Sequence, residues 1–300
     1  MSSLYTQQDK NIWKTWLLMA TFLCVVVALG WFVSFYYDNP FILYAAIGIA
    51  LVMNIVSYWY SDKIALSLSK ARPANKEEHT DLFRAVENIS ITAGLPQPRV
   101  YIIDDPAPNA FATGRNKEHA AVAVTTGLLS MMDKNELEGV IAHEIAHIGN
   151  RDILLMTVVV VLVGFVALLS DFFMRSMFFG GGRGRREGGG NLGAIMAIIG
   201  VIFLILSPIV AKIIQLAISR KREFLADATG ALLTRYPEGL ASALEKISGY
   251  TAPMRNAHTA TAHLFISNPF GGAVKGMAKL FMTHPPVEER IKVLRHGSGM

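Results

Sequence analysis

The strongest constraint on the fold of this chain is a set of four long apolar runs. They cover residues 16–37, 41–60, 153–174 and about 192–216. A helix needs about 20 predominantly apolar residues to cross the hydrocarbon core of a bilayer, and each run is close to that length. Because lipid offers no hydrogen-bond partners to an open backbone, such runs fold as helices. The sequence therefore predicts an α-helical membrane protein with four hydrophobic helices.

The composition agrees with this prediction. Charged residues make up 17% of the 300 residues and apolar residues 52%, whereas soluble domains carry about 25% charged residues. The net charge of +5 is modest and no long basic run is present, so we expect no nucleic-acid partner. Cys24 is the lone cysteine, which excludes an intramolecular disulfide.

The apolar runs alternate with two polar segments, and this alternation defines the expected domains. Residues 1–60 form an amino-terminal transmembrane hairpin, and residues 153–219 form a second hydrophobic hairpin around the Gly- and Arg-rich loop FFGGGRGRREGGGN. Residues 61–152 and 220–300 have the composition of soluble segments. If all four runs span the bilayer, these two segments lie on the same side and can form one domain.

Basic residues near the membrane favour a cytosolic position for that domain, because such residues are retained on the cytosolic face and attract anionic lipid headgroups. Six of them flank the runs on that side: Lys63, Lys70, Arg72, Arg220, Lys221 and Arg222. Three arginines in the Gly-rich loop oppose this orientation: Arg183, Arg185 and Arg186. Either the loop is tolerated because it is short and flexible, or the last two runs do not span fully.

Local patterns predict regular elements in the first soluble segment. An amphipathic helix is expected over residues 75–91 and short strands over residues 99–104 and 119–125. Asp133 is the expected N-cap of a further helix, and Glu136 three residues later completes a capping box. We expect that helix to run on from His147 to Ile153, about 9 Å along its axis.

The segment HEIAH carries the H-E-x-x-H pattern on this helix. His143 and His147 are four residues apart and therefore lie on one helix face, where both imidazoles can reach one ion. Glu144 can accept a proton from a water molecule that a zinc ion polarises. The pattern also arises by chance on ordinary helices. Here the capping box predicts a helix that begins before the motif and contains all of it, which favours a metal site.

A catalytic zinc ion takes three protein ligands and keeps one position open. The third ligand cannot follow as in H-E-x-x-H-x-x-G-x-x-H, because Ile153 occupies that position. Glu223 in REFLAD is the best candidate, since it lies just beyond the fourth run as His147 lies just before the third. Asp227 can accept a hydrogen bond from the other ring nitrogen of a ligand histidine. The alternative is that Glu223 and Asp227 simply lie on a solvent-exposed acidic face of a helix.

With these motifs the chain resembles the HtpX heat-shock membrane metalloproteases. The resemblance rests on HEIAH followed by NRD and a hydrophobic run, on REFLAD and on THPP, and it extends over essentially the whole chain. This family consists of gluzincin-type zinc endopeptidases related to the CAAX prenyl proteases. The resemblance implies an α+β zincin-like catalytic domain built from residues 61–152 and 220–300.

The resemblance also implies the roles of the five residues already selected. His143, His147 and Glu223 would bind one zinc ion per chain, Glu144 would be the general base, and Asp227 would support a ligand histidine.

Two further segments acquire roles from the resemblance. PNAFATG resembles an edge strand whose free edge would pair with an extended substrate, with Asn109, Ala110 and Phe111 as the binding residues. An ordinary turn before a strand is the alternative for Asn109. In THPPVEER, His284 or Arg290 would stabilise the oxyanion of a tetrahedral intermediate. Without the resemblance, His284 is a turn residue before two prolines. His258 and His263 receive no role.

The sequence thus predicts a membrane-embedded zinc endopeptidase that cleaves misfolded or damaged membrane proteins and unfolded polypeptides near the cytosolic surface of a bacterial inner membrane. The quality-control role follows from the resemblance, and the residues alone indicate peptide hydrolysis close to a lipid bilayer. One alternative is a CAAX-type protease of prenylated tails, for which four runs are too few. The other is a non-catalytic scaffold, whose structural zinc would need a fourth protein ligand. No feature indicates an oligomeric state.

Overall fold

A computed structural model describes residues 4–179, 219–271 and 285–297. In this part of the chain there are ten α-helices: α1 (Leu4–Tyr36), α2 (Pro40–Trp59), α3 (Ser61–Leu68), α4 (Thr80–Ala93), α5 (Thr126–Met131), α6 (Lys134–Gly149), α7 (Asp152–Phe179), α8 (Arg220–Thr234), α9 (Pro237–Gly249) and α10 (Val287–His296). The strands are β1 (Arg72–Pro73), β2 (Arg99–Ile103), β3 (Ala110–Gly114) and β4 (Ala120–Thr125).

Helices α1 and α2 pack against each other and are joined by a short turn. Asn39 caps α2, since its side chain accepts a hydrogen bond from the backbone N–H of Phe41, and Pro40 occupies the first turn, where its missing N–H costs nothing. The segments Asn11–Tyr36 and Pro40–Trp59 are long and apolar enough to cross a membrane. They correspond to the first two of the four predicted hydrophobic helices.

The third apolar run forms most of α7, but α7 does not continue α6. Arg151 lies between the two helices with a φ of 57°, in the left-handed region that interrupts right-handed helical hydrogen bonding. The two helices meet at 86°. The expectation of one helix from His147 to Ile153 is therefore wrong.

Counting α6 and residues 152–165 as one broken span raises the candidate spans in the described residues from two to three. The predicted fourth run at 192–216 and the loop with Arg183, Arg185 and Arg186 lie outside the described residues.

The four strands form one sheet in the order β1-β2-β4-β3. Strands β2 and β4 are parallel, and the outer strands β1 and β3 are antiparallel to their neighbours. The strands predicted over 99–104 and 119–125 correspond to β2 and β4, each of which is one residue shorter than predicted. The segment PNAFATG contains β3, which forms an edge of the sheet.

The helix predicted over residues 75–91 is α4, which begins later, at Thr80. Before it, Asn75 accepts a hydrogen bond from the backbone N–H of Glu77 and stabilises a turn instead of a helix. The helix ends at Ala93, and Gly94, with a φ of 64°, is its left-handed C-cap.

The sheet lies between two hydrophobic clusters. Because neighbouring residues of a strand point to opposite faces, β4 contributes Ala120, Val122 and Val124 to the cluster with α4, α6 and α9. It contributes Ala121 and Ala123 to the cluster with α1, α3 and α7. The sheet thus connects the apolar helices to the helices that carry the polar motifs.

Candidate active site

Helix α6 begins with the predicted capping box. The Asp133 carboxylate accepts a hydrogen bond from the backbone N–H of Glu136, and the Glu136 carboxylate accepts one from the N–H of Asp133. Glu136 also accepts hydrogen bonds from Ser242 and Lys246 of α9. These contacts confirm the capping box and fix the start of the helix that carries HEIAH.

The side chains of His143, His147 and Glu223 converge and are almost completely buried. The two Nε2 atoms are 3.2 Å apart. The Glu223 carboxylate oxygens lie 3.8 Å from Nε2 of His143 and 3.7 Å from Nε2 of His147. Ligand atoms at tetrahedral angles around zinc, with bonds of about 2.0–2.2 Å, are roughly 3.3–3.6 Å apart. The three residues could therefore hold one metal ion.

Helix α8 brings Glu223 to α6 by packing closely against it. Gly230 faces His143, and a Cβ at this glycine would lie 3.1 Å from the His143 backbone nitrogen. The absence of a side chain at Gly230 thus permits the close approach that aligns Glu223 with both histidines.

Asp227 supports the first histidine. Its Oδ1 lies 2.9 Å from Nδ1 of His143, and because a carboxylate only accepts hydrogen bonds, Nδ1 donates and Nε2 is left for a metal. Arg290 donates from Nε and Nη2 to the two oxygens of Asp227, at 2.8 and 2.6 Å. Burial works to raise the pKa of Asp227, but this ion pair outweighs it and lowers the pKa to about 2.

Asp152 supports the second histidine, a role that the sequence analysis missed. Its Oδ2 lies 3.1 Å from Nδ1 of His147, and its Oδ1 accepts a hydrogen bond from Asn11 of α1 at 2.6 Å. Asp152 is fully buried. Its position in the NRD segment, five residues after His147, was the available signal.

The two histidines differ in protonation before a metal ion binds. Burial lowers the pKa of His143 to about 4. Burial also works to lower the pKa of His147, but the hydrogen bond with Asp152 and the charges of Glu223, Asp152 and Glu144 raise it to about 9. At neutral pH His143 is therefore neutral, whereas His147 carries a proton that a metal ion must displace.

Glu144 lies next to His143 on α6, and its side chain is buried. Its charge is close enough to contribute to the raised pKa of both His147 and Arg290. A carboxylate in this position, beside the converging ligand atoms, can act as a proton acceptor within the site.

The edge strand is covered by the chain itself at the predicted substrate position. The backbone N–H of Ile266 donates to the carbonyl oxygen of Ala110 at 2.9 Å. The Asn109 amide donates to the Ser267 carbonyl and accepts from its N–H, at 3.0 and 3.2 Å. Phe111 packs edge-on against Phe265, with ring centroids 5.0 Å apart.

The edge that we expected to be free at Ala110 is thus paired with residues 265–267, the covering segment. The reason is that Phe265 and Ile266 bury apolar side chains against the two clusters beside β3.

Comparison with known proteins identifies the family. Residues 76–298 match the family model of peptidase family M48. The chain belongs to this family. The protease HtpX homologue from Thermoanaerobacter pseudethanolicus is 53% identical over 295 residues, which cover 98% of this chain and 97% of that protein. The homologue from Pyrococcus furiosus is 48% identical over 288 residues, which cover 95% of this chain and 96% of that protein. The resemblance to HtpX proteins is confirmed.

A solved structure supports the fold of this M48 peptidase. The crystal structure of S. mikatae Ste24p aligns with a TM-score of 0.50 at 18% identity, over 97% of this chain and 67% of that chain. At this identity the likeness concerns the fold alone. Family membership, the two apolar helices and the buried His-His-Glu group make the chain a membrane metalloprotease.

Of the two residues expected to stabilise the oxyanion, the structure describes one. Arg290 is fully buried and its Nε and Nη2 are committed to Asp227, while Nη1 lies 3.5 Å from the Ile266 carbonyl oxygen. Its contact to substrate stays a prediction. His284 lies outside the described residues.

The two histidines that received no role lie outside the metal group. His263 is buried, with Nε2 2.8 Å from the Met156 carbonyl oxygen, and joins its segment to α7. His258 is exposed.

Proposed function

We propose that this M48 peptidase is a zinc endopeptidase that cleaves misfolded or damaged membrane proteins in segments close to the cytosolic surface of a bacterial inner membrane. The observation that carries the proposal is the buried convergence of His143, His147 and Glu223 beside Glu144. This group lies at the end of a helix that turns directly into the apolar α7.

The donor set supports zinc as the metal, one ion per chain. Two imidazole nitrogens and one carboxylate are a common catalytic zinc set, and they leave a fourth position open. Among the described residues, the group has three potential ligands rather than the four of a closed structural site. When bound, zinc would polarise the scissile carbonyl and lower the pKa of a water molecule.

The side chains of this protein supply the proton transfers and the orientation. Glu144 would accept a proton from the attacking water and pass it to the leaving amine. Asp227 and Asp152 would keep the Nδ1 protons in place, so that Nε2 of His143 and His147 points at the metal. Arg290 would hold Asp227, and either Arg290 or His284 would contact the oxyanion.

The substrate would bind as an extended strand along β3, which supports an unfolded polypeptide as the substrate class. Pairing of a substrate at Ala110 requires Ile266 to move away, because the Ile266 N–H already donates a hydrogen bond to the Ala110 carbonyl oxygen. The same movement would free the Asn109 amide, and Phe111 would line the vacated space beside it.

The position at a membrane follows from α1 and α2. Trp59 and Tyr60 lie at the end of α2, and each has a basic side chain over its ring. Cζ of Arg115 is 4.4 Å from the ring centroid of Trp59, and Nζ of Lys63 is 5.3 Å from that of Tyr60. Aromatic and basic residues of this kind collect at the bilayer interface, and basic residues favour the cytosolic side. We therefore place the catalytic domain, residues 61–152 with 220–300, in the cytosol and the hydrophobic segments 1–60 and 153–219 at the bilayer.

The decisive experiment uses the full chain in nanodiscs with a membrane protein whose cytosolic segment is destabilised. Glu144→Gln should retain bound zinc, measured by elemental mass spectrometry, and lose cleavage. Glu138→Gln on the same helix is the matched control and should cleave normally. Normal cleavage by Glu144→Gln would contradict the general-base role. Cleavage confined to prenylated tails would support the CAAX-type alternative instead.

A further inference from the structure

Asn11 is a buried polar residue in the first hydrophobic helix, with 2% of its surface exposed. Its side chain makes three hydrogen bonds to residues at least 139 positions away in the sequence. Nδ2 donates to the carbonyl oxygen of Asn150 at 3.2 Å and to Oδ1 of Asp152 at 2.6 Å. Oδ1 accepts from Nη1 of Arg222 at 3.3 Å. A buried amide with all these partners lies at a junction between distant segments.

Each partner of Asn11 either contacts a proposed metal ligand or lies within three residues of one in the sequence. Asp152 binds Nδ1 of His147 through its other oxygen, Oδ2. Asn150 is the C-cap of α6, the helix that ends two residues after His147. Arg222 immediately precedes Glu223 on α8. Asn11 therefore contacts both polypeptide segments that must be aligned for a shared metal ion.

The chemistry of the junction suits an amide. Asn11 donates from nitrogen to both Asn150 and Asp152 and accepts at oxygen from Arg222. Among short uncharged side chains only an amide donates two hydrogen bonds while accepting a third, because a hydroxyl has a single proton to donate. An aspartate at this position would place two carboxylates together, and an apolar residue would leave Oδ1 of Asp152 without its 2.6 Å donor. Because Asp152 is fully buried, the loss of that donor leaves the carboxylate less well fixed.

We propose that Asn11 is a positioning residue of the metal centre, and that α1 is thereby a component of the active site as well as a membrane helix. Through Asp152, Asn11 orients the His147 imidazole, and through Arg222 it aligns the start of α8 with α6. The inference rests on the proposed metal site. Its consequence is that the soluble segments 61–152 and 220–300 without α1 bind zinc more weakly than the full chain does.

The test is the zinc affinity of full-length variants in nanodiscs, measured by competition with a chromogenic chelator. Loss of a residue that orients a metal ligand typically lowers metal affinity by about 10–100-fold. For Asn11→Ala we expect zinc affinity to fall by about tenfold, at the lower end of this range. Asn11→Asp keeps the shape of the side chain and removes the donor, so it should also bind zinc more weakly. Asn11→Gln retains both groups and should recover part of the affinity.

The matched control is Asn54→Ala in α2. Asn54 is also a membrane-helix asparagine, but its Nδ2 donates to Ala50 of the same helix. This variant should bind zinc as the wild type does, even if its thermal midpoint falls. Recovery of zinc affinity in Asn11→Gln but not in Asn11→Asp would show that the amide donor, rather than packing alone, carries the effect.

Wild-type zinc affinity in both Asn11→Ala and Asn11→Asp would overturn the inference while leaving the proposed function intact. If Asn11→Ala does not fold, Asn11→Asp supplies the same comparison with nearly unchanged packing. A wild-type protein that binds no zinc, or a Glu144→Gln variant that cleaves normally, would instead overturn the proposed function.

Discussion

Oδ2 of Asp152 lies 3.1 Å from Nδ1 of His147, although helix α6 has ended between the two residues. On a continuous helix, positions five residues apart do not share a face. The turn at Arg151 directs Asp152 back towards the histidine. The bend between α6 and α7 therefore creates the hydrogen bond that orients the second proposed metal ligand.

Replacement of Asp152 by asparagine tests this relationship. Asparagine keeps the shape of the side chain but removes the charge that holds the Nδ1 proton of His147. We expect zinc affinity to fall by about 10–100-fold, as measured by chelator competition at about pH 9, where competition from the His147 proton is small in both proteins. Asp105→Asn is the control, because Asp105 is equally buried but binds the backbone N–H groups of Ala107 and Arg255. Equal zinc affinity in Asp152→Asn and the wild type would show that Asp152 does not orient His147.

The pH dependence of zinc binding provides a second prediction. The pKa of His147 is raised to about 9, so this histidine carries a proton at pH 7 that must leave when zinc binds. His143, with a pKa of about 4, is already neutral. Zinc affinity should therefore rise by about tenfold per pH unit between pH 7 and 9, because one proton competes with the metal.

The control for the pH series is Asp152→Asn, which loses the main interaction that raises the pKa of His147. Its zinc affinity should change less steeply over the same range. Identical slopes in the two proteins would mean that Asp152 does not hold the proton on His147.

The parts of the site that follow from helix geometry were predictable from the sequence. His143, Glu144 and His147 are related by a spacing of one turn, and the Asp133 capping box is a local pattern, so neither depends on distant contacts. Glu223 was selected from its distance to an apolar run, and the structure brings it to the histidines through the close packing at Gly230.

The remaining contacts depend on tertiary structure that no local pattern reveals. The left-handed conformation of Arg151 occurs at a residue other than glycine, for which it is uncommon, so the bend that orients Asp152 could not be anticipated. Asn11 meets Asp152 across 141 positions of the sequence. The covering of Ala110 by Ile266 spans an even longer separation, which is why the edge of β3 was expected to be free.

The buried pair of Arg290 and Asp227 yields a prediction about stability. Arg290→Met removes the cation and leaves the Asp227 carboxylate buried beside His143, and breaking a buried ion pair in this way costs about 3–5 kcal/mol. We expect a large fall in the thermal midpoint of the detergent-solubilised protein. The double variant Arg290→Met with Asp227→Asn should be less destabilised than the sum of the two single changes. Additive effects would contradict direct coupling of the pair.

The contact between Ile266 and Ala110 predicts a variant with increased activity. Ile266→Pro removes the N–H that occupies the Ala110 carbonyl, so a substrate strand meets less competition at β3. A hydrogen bond of this kind contributes about 1 kcal/mol net, and kcat/KM for an unfolded peptide should therefore rise by about fivefold, mainly through a lower KM. Ile266→Val retains the N–H and should cleave at the wild-type rate, while thermal midpoints of both variants check that the fold is intact. An Ile266→Pro protein that is folded and has an unchanged KM would show that substrates bind without displacing the covering segment.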